Sequence, residues 1–397
     1  MANAKKLIVE LKQQTAALTK KDIRDWRNAW QMAINAERPF RNAMYDIYTD
    51  VLGDAHVSGA IDQRKKMVLQ KEYKIINEKS GEEVPEMYAI FDASWFYHLF
   101  DLVLDAHFWG HSLIQLGDPV KKTNGSYQFA DVQLVPRKHV IPEFGLITRE
   151  PGDEPNKGFS YRKPPFNQWL IEAGNPNELG LLLKCAPHAI SKKNMSAFWD
   201  QFGELFGMPI RIATTSTNDP KEIANIDNMM ESMGAKAWGR FDELTEIKFQ
   251  ETQHSDAFNV YDKRIERANS ELSKLILGQT MTMDNGSSQS QSETHLKILN
   301  NIVNSDADML RNVVNDQLLP ICAMHGVAPD GLRFEWDKPL GYLASEQIQL
   351  EQMLLNRYTI DPTYFVEKYN IPITGEAKNP SASNDTNFRL TNARFFD

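Results

Sequence analysis

Two long stretches of helical periodicity, joined by a polar segment, stand out in the C-terminal half of the chain. Residues 256–278 place apolar side chains three or four positions apart, which is the pattern of a helix with one buried face. Residues 293–324 repeat that pattern, with Pro320 as an expected kink and Gly326 as the expected end. The pattern predicts a helix, a loop and a longer helix.

The predicted loop, residues 280–292, has no apolar periodicity and carries one full charge, on Asp284. Its residues are Thr280, Met281, Thr282, Met283, Asp284, Asn285, Gly286, Ser287, Ser288, Gln289, Ser290, Gln291 and Ser292. Loops of this length without structure of their own usually have a function. A solvated turn would have the same composition, so the pattern alone leaves both interpretations open.

The N-terminal half begins with a polar, lysine-rich stretch, residues 1–22, which we expect to be a loosely held arm. Helical periodicity follows over 22–36, over 38–69 with a break at 54–59, and over 82–108. Trp26 and Trp30 lie one helical turn apart, and we expect both to pack in the core.

Patterns typical of strands occupy much of the remaining sequence. We predict strands over 70–78, 112–117, 127–136, 140–144, 146–148, 180–185, 209–213, 244–249 and 332–336. Further helices are predicted over 191–206, 219–233, 345–357 and 362–369, with a proline-rich loop at 150–167 and a poorly ordered tail at 374–397. The predicted fold class is α+β and mostly helical, with a small α/β insert between two helices.

Composition narrows the possible functions. A chain of 397 residues is long enough for more than one subdomain, and its net charge of −9 does not attract nucleic acid as a whole. Cys185 and Cys322 are expected to be buried thiols in a reducing compartment. We see neither a secretion signal nor an apolar run of about 18 residues, so we expect no membrane span.

Candidate metal ligands and catalytic motifs are sparse. His107 and His111 have the spacing of a helical metal pair, but we expect the helix to end at Gly110, which favours packing or capping histidines. Asp101, Asp105 and His107 form the best candidate metal cluster, although a solvated helix face explains them equally well. Without a phosphate-binding loop or a nucleophile elbow, we expect no cofactor and no catalysis.

Three motifs together resemble a known family. They are SKKNMSAFWDQFGELFGMPIR at 191–211, LGQTMT at 277–282, and GSSQSQSETH at 286–295, which leads into the long predicted helix. In this order and at these spacings they resemble the portal proteins of tailed phages, specifically the Mu-like branch. The resemblance covers roughly 185–326, and GHSLIQL at 110–116 followed by LVPRKH at 134–139 extends it more weakly.

The resemblance implies a portal-type fold and a ring, typically of twelve subunits, at one capsid vertex. It implies seven segments: an N-terminal wing at 1–185 with a flexible arm at 1–22, a first stem helix at 186–207, a clip at 208–253, a second stem helix at 254–279, a tunnel loop at 280–292, a long wing helix at 293–326, and a C-terminal crown region with its tail at 327–397.

The resemblance also implies partners and a location. Double-stranded DNA would pass through the channel without sequence-specific contacts, and the ring would dock the large terminase subunit, a head–tail adaptor, and the capsid or scaffold protein. We expect the protein in the virion, at the portal vertex, and in the host cytoplasm during assembly, with no membrane partner.

Charge along the predicted stem and loop fits a channel in which DNA slides. Each Lys or Arg contact to phosphate adds salt-dependent affinity, and the loop has no basic residue. Lys263, Arg264 and Arg267 are the exception, and we expect most of them to pair with Glu266 and Glu271 of the same or the next subunit, leaving one or two as phosphate contacts. The alternatives are a metal-dependent nuclease or hydrolase built on Asp101, Asp105 and His107, or another minor head protein of the virion.

Overall fold

The computed structural model describes residues 22–123, 125–206, 211–215, 219–232, 238–242, 257–280, 289–337 and 344–369. The chain divides into two compact units, Met1–Asp337 and Lys338–Asp397. Most described residues are helical and short strands connect the helices, which confirms the mostly helical α+β class. The predicted arm before Asp22 and the tail at 374–397 lie outside the described residues.

Three helices begin the first unit: α1 (Ile23–Ala33), α2 (Asn42–Leu52) and α3 (Ala55–Leu69). Asp22 and Asp25 form a reciprocal capping box that starts α1, which ends before the predicted residue 36. The Asp54 side chain accepts from the amides of His56 and Val57 and so starts α3. The predicted break at 54–59 is therefore confined to its first residue, because the cap lets the helix resume immediately.

The two tryptophans of α1 differ in their environment. Trp26 is half-buried against the core, and its indole Nε1 donates to the Leu183 carbonyl at 3.2 Å. Trp30 is 39% exposed, although its ring centroid lies 5.3 Å from that of Trp26. The prediction of core packing is thus wrong for Trp30, because the face of α1 that is buried is centred on Ala29 and Ala33.

The next helical region is α4 (Tyr88–Phe91) followed by α5 (Ser94–Trp109). The predicted continuous helix 82–108 is interrupted at Asp92, whose φ and ψ are not helical. Phe96 and Phe100 of α5 lie 4.3 Å apart, centroid to centroid, within the main core. Gly110 has φ +89° and ends α5, as predicted.

Short antiparallel sheets follow α5. The central one has the order β5-β2-β9, with β2 at His111–Leu116, β5 at Val132–Leu134 and β9 at Leu170–Gly174. The others pair β3 (Pro119–Lys121) with β4 (Tyr127–Phe129), and β6 (Val140–Ile141) with β7 (Leu146–Ile147) and β8 (Phe159–Ser160). The predicted strand 127–136 is split between β4 and β5, and β8 lies inside the predicted loop.

Strand pairing joins an early and a late strand of the first unit. β1 (Tyr73–Asn77) pairs antiparallel with β12 (Leu332–Trp336), with Ile75 opposite Phe334. Both of these side chains are fully buried. Both strands were predicted, and their pairing places β12 in the first unit, while the second unit begins at Lys338.

The apolar run at 180–185 does not form the predicted strand. It leads into α6 (Leu182–Phe206), which therefore begins earlier than the predicted residue 191. A short apolar run is compatible with a buried strand or a buried helical turn, and here Leu182 and Cys185 are both in the core. Pro187 lies inside this helix.

The insert after α6 contains β10 (Arg211–Thr215), α7 (Pro220–Ser232) and β11 (Trp238–Asp242). The two strands are parallel and share one register, from Arg211 opposite Trp238 to Thr215 opposite Asp242. This is a strand–helix–strand unit, because parallel strands need a crossover. It confirms the α/β character, while the predicted strand at 244–249 lies outside the described residues.

The remaining helices are α8 (Ala257–Leu277), α9 (Gln289–Val313), α10 (Leu319–Met324), α11 (Ala344–Arg357) and α12 (Pro362–Tyr369). Between α9 and α10, residues Val314–Leu318 widen into a π-helical turn just before Pro320. The second unit contains α11 and α12, which an ion pair between Glu351 and Lys368 connects. These helices were predicted within a few residues of their observed bounds.

Candidate functional site

The end of α8 meets the middle of α9 at Gly278. Gly278 has φ +73°, and a Cβ added there would lie 2.6 Å from Ile302 Cδ1 and 3.1 Å from Ile298 Cγ2. Leu272, Ile276 and Leu299 are buried behind this contact in the main core. The segment between α8 and α9 therefore begins at a helix end that is packed in the core.

The predicted loop is shorter than its composition suggested. The first turn of α9 contains Gln289, Ser290, Gln291 and Ser292. The apolar pattern missed them because the first turn of a helix can consist of polar residues. Thr280 is half-buried, and Gln279 before it is 3% exposed, with no hydrogen-bond partner for its side-chain amide among the residues that the structure describes. Met281, Thr282, Met283, Asp284, Asn285, Gly286, Ser287 and Ser288 lie outside the described residues.

A buried arginine of α3 contacts both of these helices. Arg64, 4% exposed, donates from Nε and Nη2 to the Asp306 carboxylate of α9 at 2.6 and 2.8 Å. Its Nη1 donates to the Ile276 carbonyl in the last turn of α8 at 2.8 Å. Its Nη2 also lies 2.8 Å from His107 Nε2 of α5. We call these four groups the Arg64 cluster.

The protonation state of His107 follows from this geometry. An arginine can only donate, so His107 Nε2 must accept and the imidazole is neutral. Burial and the positive charge of Arg64 both lower the pKa of His107, which also favours the neutral ring. The cluster thus has one cation, one anion and one neutral ring.

A second polar contact ties α8 to α3. His56 Nε2 lies 2.8 Å from the Ser273 hydroxyl, and Ser273 is buried. His56 and Arg64 lie about two helical turns apart on α3, so α3 holds the C-terminal part of α8 at two points. The end of α8 is a fixed feature of the core.

The basic residues predicted on the second stem helix lie on the outside of α8. Lys263, Arg264 and Arg267 are exposed, and Arg264 Nη2 donates to the Ser191 hydroxyl of α6 at 3.2 Å. Glu271 binds Lys274 at 3.2 Å, and the hydrogen bond and charge of Lys274 lower the pKa of Glu271, with a smaller contribution from Arg267. Within one copy, therefore, Arg264 joins α6 to α8, and the Glu271 ion pair is made with Lys274.

Comparison with known proteins assigns the family. The family model described as the portal protein of Mu bacteriophage matches residues 45–371, which include α8, α9 and the segment between them. The chain belongs to this portal protein family. The resemblance seen in the sequence is confirmed, and the alternative of a different minor head protein is set aside.

Solved structures give weaker likenesses to this portal protein. An HK97-family phage portal protein from Corynebacterium diphtheriae is 11% identical, with 79% of this chain and 98% of that chain covered and a TM-score of 0.37. A chain from the neck of an empty GTA particle is 9% identical, with 92% and 97% covered and a TM-score of 0.48. Comparison with curated proteins gave no match. Family membership therefore rests on the family model.

The candidate metal cluster of the portal protein is occupied by its own cations. Lys65 Nζ lies 2.7 Å from Asp101 Oδ1 and 2.8 Å from Asp105 Oδ1, and Arg137 lies 3.3 Å from Asp105 Oδ2. His107 binds Arg64 instead of joining the carboxylates. The structure brings the two aspartates together, but as partners of cations, and no group suited to a metal ion occurs among the described residues.

His111 lies apart from His107, on strand β2. It is buried, and its Nε2 lies 3.1 Å from Glu172 Oε1 of β9. Burial raises the pKa of Glu172, but hydrogen bonds from Arg162, His111 and Tyr161 outweigh it and lower the pKa to about 2. His107 and His111 are thus not a pair on one helix, because α5 ends at Trp109 and His111 lies on β2, where it packs in the interior.

Sequence reasoning missed Arg64 and Asp306. Each interrupts an otherwise apolar helical face: Arg64 lies between Ile61 and Val68, and Asp306 between Val303 and Leu310. Charges at core-facing positions are rarely tolerated without a partner, so two such positions of opposite sign are a signal for a buried pair. That signal was present in the sequence, but it does not identify the partners.

No helix among the residues that the structure describes is long and apolar enough to cross a membrane.

Proposed function

We propose that twelve copies of this chain form a ring at one vertex of a phage capsid, with a central channel for DNA. Double-stranded DNA would enter through the channel during packaging, be retained by it, and leave through it on ejection. The single observation that carries this proposal is the portal family match over residues 45–371.

The geometry around Gly278 supports the choice of channel segment. Residues 280–288 follow directly on the end of α8, which Gly278 and Arg64 hold against α9, so the segment has a fixed attachment point at its first residue. Its only charged residue is Asp284, and a surface of this composition neutralises no phosphate. We infer that this segment contacts DNA without binding it tightly.

The observed helix bounds refine the proposed parts of the subunit. α6 and α8 would be the two stem helices, the unit formed by β10, α7 and β11 would be the clip, and α9 with α10 would be the long wing helix. The wing would comprise the region before α6 together with β12, and the crown region would begin at Lys338.

Proposed partners follow from these parts. The clip would dock the large terminase subunit during packaging and a head–tail adaptor afterwards, while capsid or scaffold protein would surround the ring. The protein would be in the host cytoplasm during assembly and then at the portal vertex of the virion. The proposal includes no catalysis, and the cations bound to Asp101 and Asp105 support this view over the nuclease alternative.

The exposed basic residues of α8 have a proposed role between subunits. Lys263 and Arg267 lie about one helical turn apart on the solvent side of the helix. Glu266 is also exposed, so an adjacent copy could bring opposite charges together. We propose that intersubunit pairing accounts for most of this charge, with one or two phosphate contacts remaining.

Deleting residues 284–290 tests the assignment of the channel segment. The deletion spares α8 and the Gly278 contact and removes only Gln289 and Ser290 from the start of α9, so we expect rings to form normally. The amount of DNA packaged or retained per particle should fall, because the segment that meets DNA is removed. The measurements are ring yield by electron microscopy and DNA content of purified particles.

The control replaces residues 284–290 with an equal length of Gly and Ser, which keeps the reach of the segment and removes Asp284. We expect this variant to package more DNA than the deletion variant. If the deletion leaves DNA packaging and retention unchanged, the assignment of residues 280–288 as the channel segment is wrong.

A further inference from the structure

Arg64 is the one side chain through which α3 reaches the carboxylate of α9 and the end of α8 at once. Its contacts use separate N–H groups, two for Asp306 and one for the Ile276 carbonyl, with His107 sharing Nη2. Arg64 and Asp306 are both almost fully buried. A guanidinium enclosed in this way has few alternative positions.

The contact with α8 supplies what the end of a helix lacks. The last carbonyls of a helix have no partner within the helix, and they carry a partial negative charge. Ile276 is in the last turn of α8, and Arg64 provides both a donor and a positive charge there. The end of α8 is therefore capped by a residue far away in sequence.

The contact with α9 is directional. A planar guanidinium that binds a carboxylate through two N–H groups fixes both distance and orientation, which a lysine ammonium cannot do. The apolar contacts of Gly278 with Ile298 and Ile302 hold the helices close, but burial of apolar surface is not directional. The Arg64 cluster is thus the part of the contact that specifies how α8 and α9 are aligned.

We propose that Arg64 is the positioning residue for the start of the channel segment, because it fixes the end of α8 against α9 at Asp306 and so sets where the chain leaves α8 at Thr280. The alignment of α8 and α9 can be measured whatever the function of the protein is. Only its consequence for DNA rests on the proposed function.

The neighbouring Lys65 provides a matched control. It is also a largely buried cation of α3, and it also binds carboxylates, at 2.7 and 2.8 Å. Its partners Asp101 and Asp105 are both on α5, so it holds neither α8 nor α9. Loss of either cation removes a buried ion pair, but only loss of Arg64 should change the alignment of α8 and α9.

Amide hydrogen exchange of Arg64→Lys, Lys65→Met and the unaltered full-length protein tests this directly. In Arg64→Lys the amides of the last turn of α8 and of α9 near Asp306 should exchange about tenfold faster or more, because bonds to a charged group are lost. In Lys65→Met those amides should keep their protection relative to the core strands. Ring yield should be unchanged in Arg64→Lys, which retains the positive charge.

Two results would overturn the proposal. One is unchanged protection of α8 and α9 in Arg64→Lys. The other is equal loss of protection in Arg64→Lys and Lys65→Met, which would show that Arg64 contributes only to overall stability.

The DNA consequence has its own readout. Particles assembled with Arg64→Lys should retain severalfold less DNA than particles with Lys65→Met if the segment is misplaced. Failure of unaltered rings to package any DNA would instead contradict the proposed function, and hydrogen exchange would still decide whether Arg64 aligns the helices. Equal DNA retention in all three proteins, with altered exchange in Arg64→Lys, would overturn the link between alignment and DNA.

Discussion

At the scale of single residues, glycines mark the helix ends that the sequence predicts most clearly. Gly110, Gly278 and Gly326 were expected to end helices, and each has a positive φ that other residues rarely adopt. The ion pair of Arg64 and Asp306 could not be predicted in this way, since it joins residues 242 positions apart. A local pattern gives the conformation of one residue but not the identity of a distant partner.

Gly278 is expected to be required for the contact between α8 and α9 as well as for its φ. We predict that Gly278→Ala lowers the free energy of unfolding by about 1 to 2 kcal/mol for the left-handed backbone. It should lose at least about 1 kcal/mol more because the new Cβ meets Ile302. Denaturant unfolding of the full chain measures the sum.

Gly326→Ala is the control, since Gly326 has φ +69° and no atom within 4 Å of an added Cβ. It should show the backbone cost alone. Equal losses in the two variants would mean that α8 and α9 do not touch at Gly278 as closely as described.

At the scale of elements, long periodic segments were predicted well and short apolar runs were not. α8 was predicted to within a residue at each end, because its apolar face repeats over several turns. The run at 180–185 was assigned to a strand although it begins α6, because periodicity cannot distinguish the two over so few residues. Pro187 is also unusual in this position, since proline in a helix interior removes a backbone hydrogen bond.

The structure compensates for Pro187 with a side chain. Because Pro187 has no N–H, the carbonyl of Leu183, four residues earlier, lacks its usual helical donor. Trp26 Nε1 of α1 donates to that carbonyl at 3.2 Å. The proline therefore creates the acceptor by which α1 binds α6.

A double-mutant cycle tests this compensation. Trp26→Phe should lower the free energy of unfolding by about 1 to 3 kcal/mol, because the Leu183 carbonyl loses its donor. In a Pro187→Ala background the loss should be smaller by about 1 kcal/mol, because the amide of residue 187 can then donate to Leu183. Equal losses in both backgrounds would contradict the account, and Trp30→Phe, at an exposed position, controls for removal of an indole.

At the scale of the whole molecule, the sequence predicted the order of elements and the family, and the structure supplied the long-range contacts. The pairing of β1 with β12 and the Arg64 cluster both connect the N-terminal half to the region after α8. Neither contact has a local sequence signature, because residues far apart in the sequence come together only in the completed fold. The proposed channel segment was chosen from its composition and from the two predicted helices on either side of it.

Electron microscopy of the purified full-length oligomer tests the central claim most directly. The account predicts closed rings, twelve subunits in each, with α8 lining the wall of the passage and residues 280–288 nearest the symmetry axis. A strict monomer at high concentration and in the presence of scaffold protein, or a ring with residues 280–288 far from its axis, would contradict it.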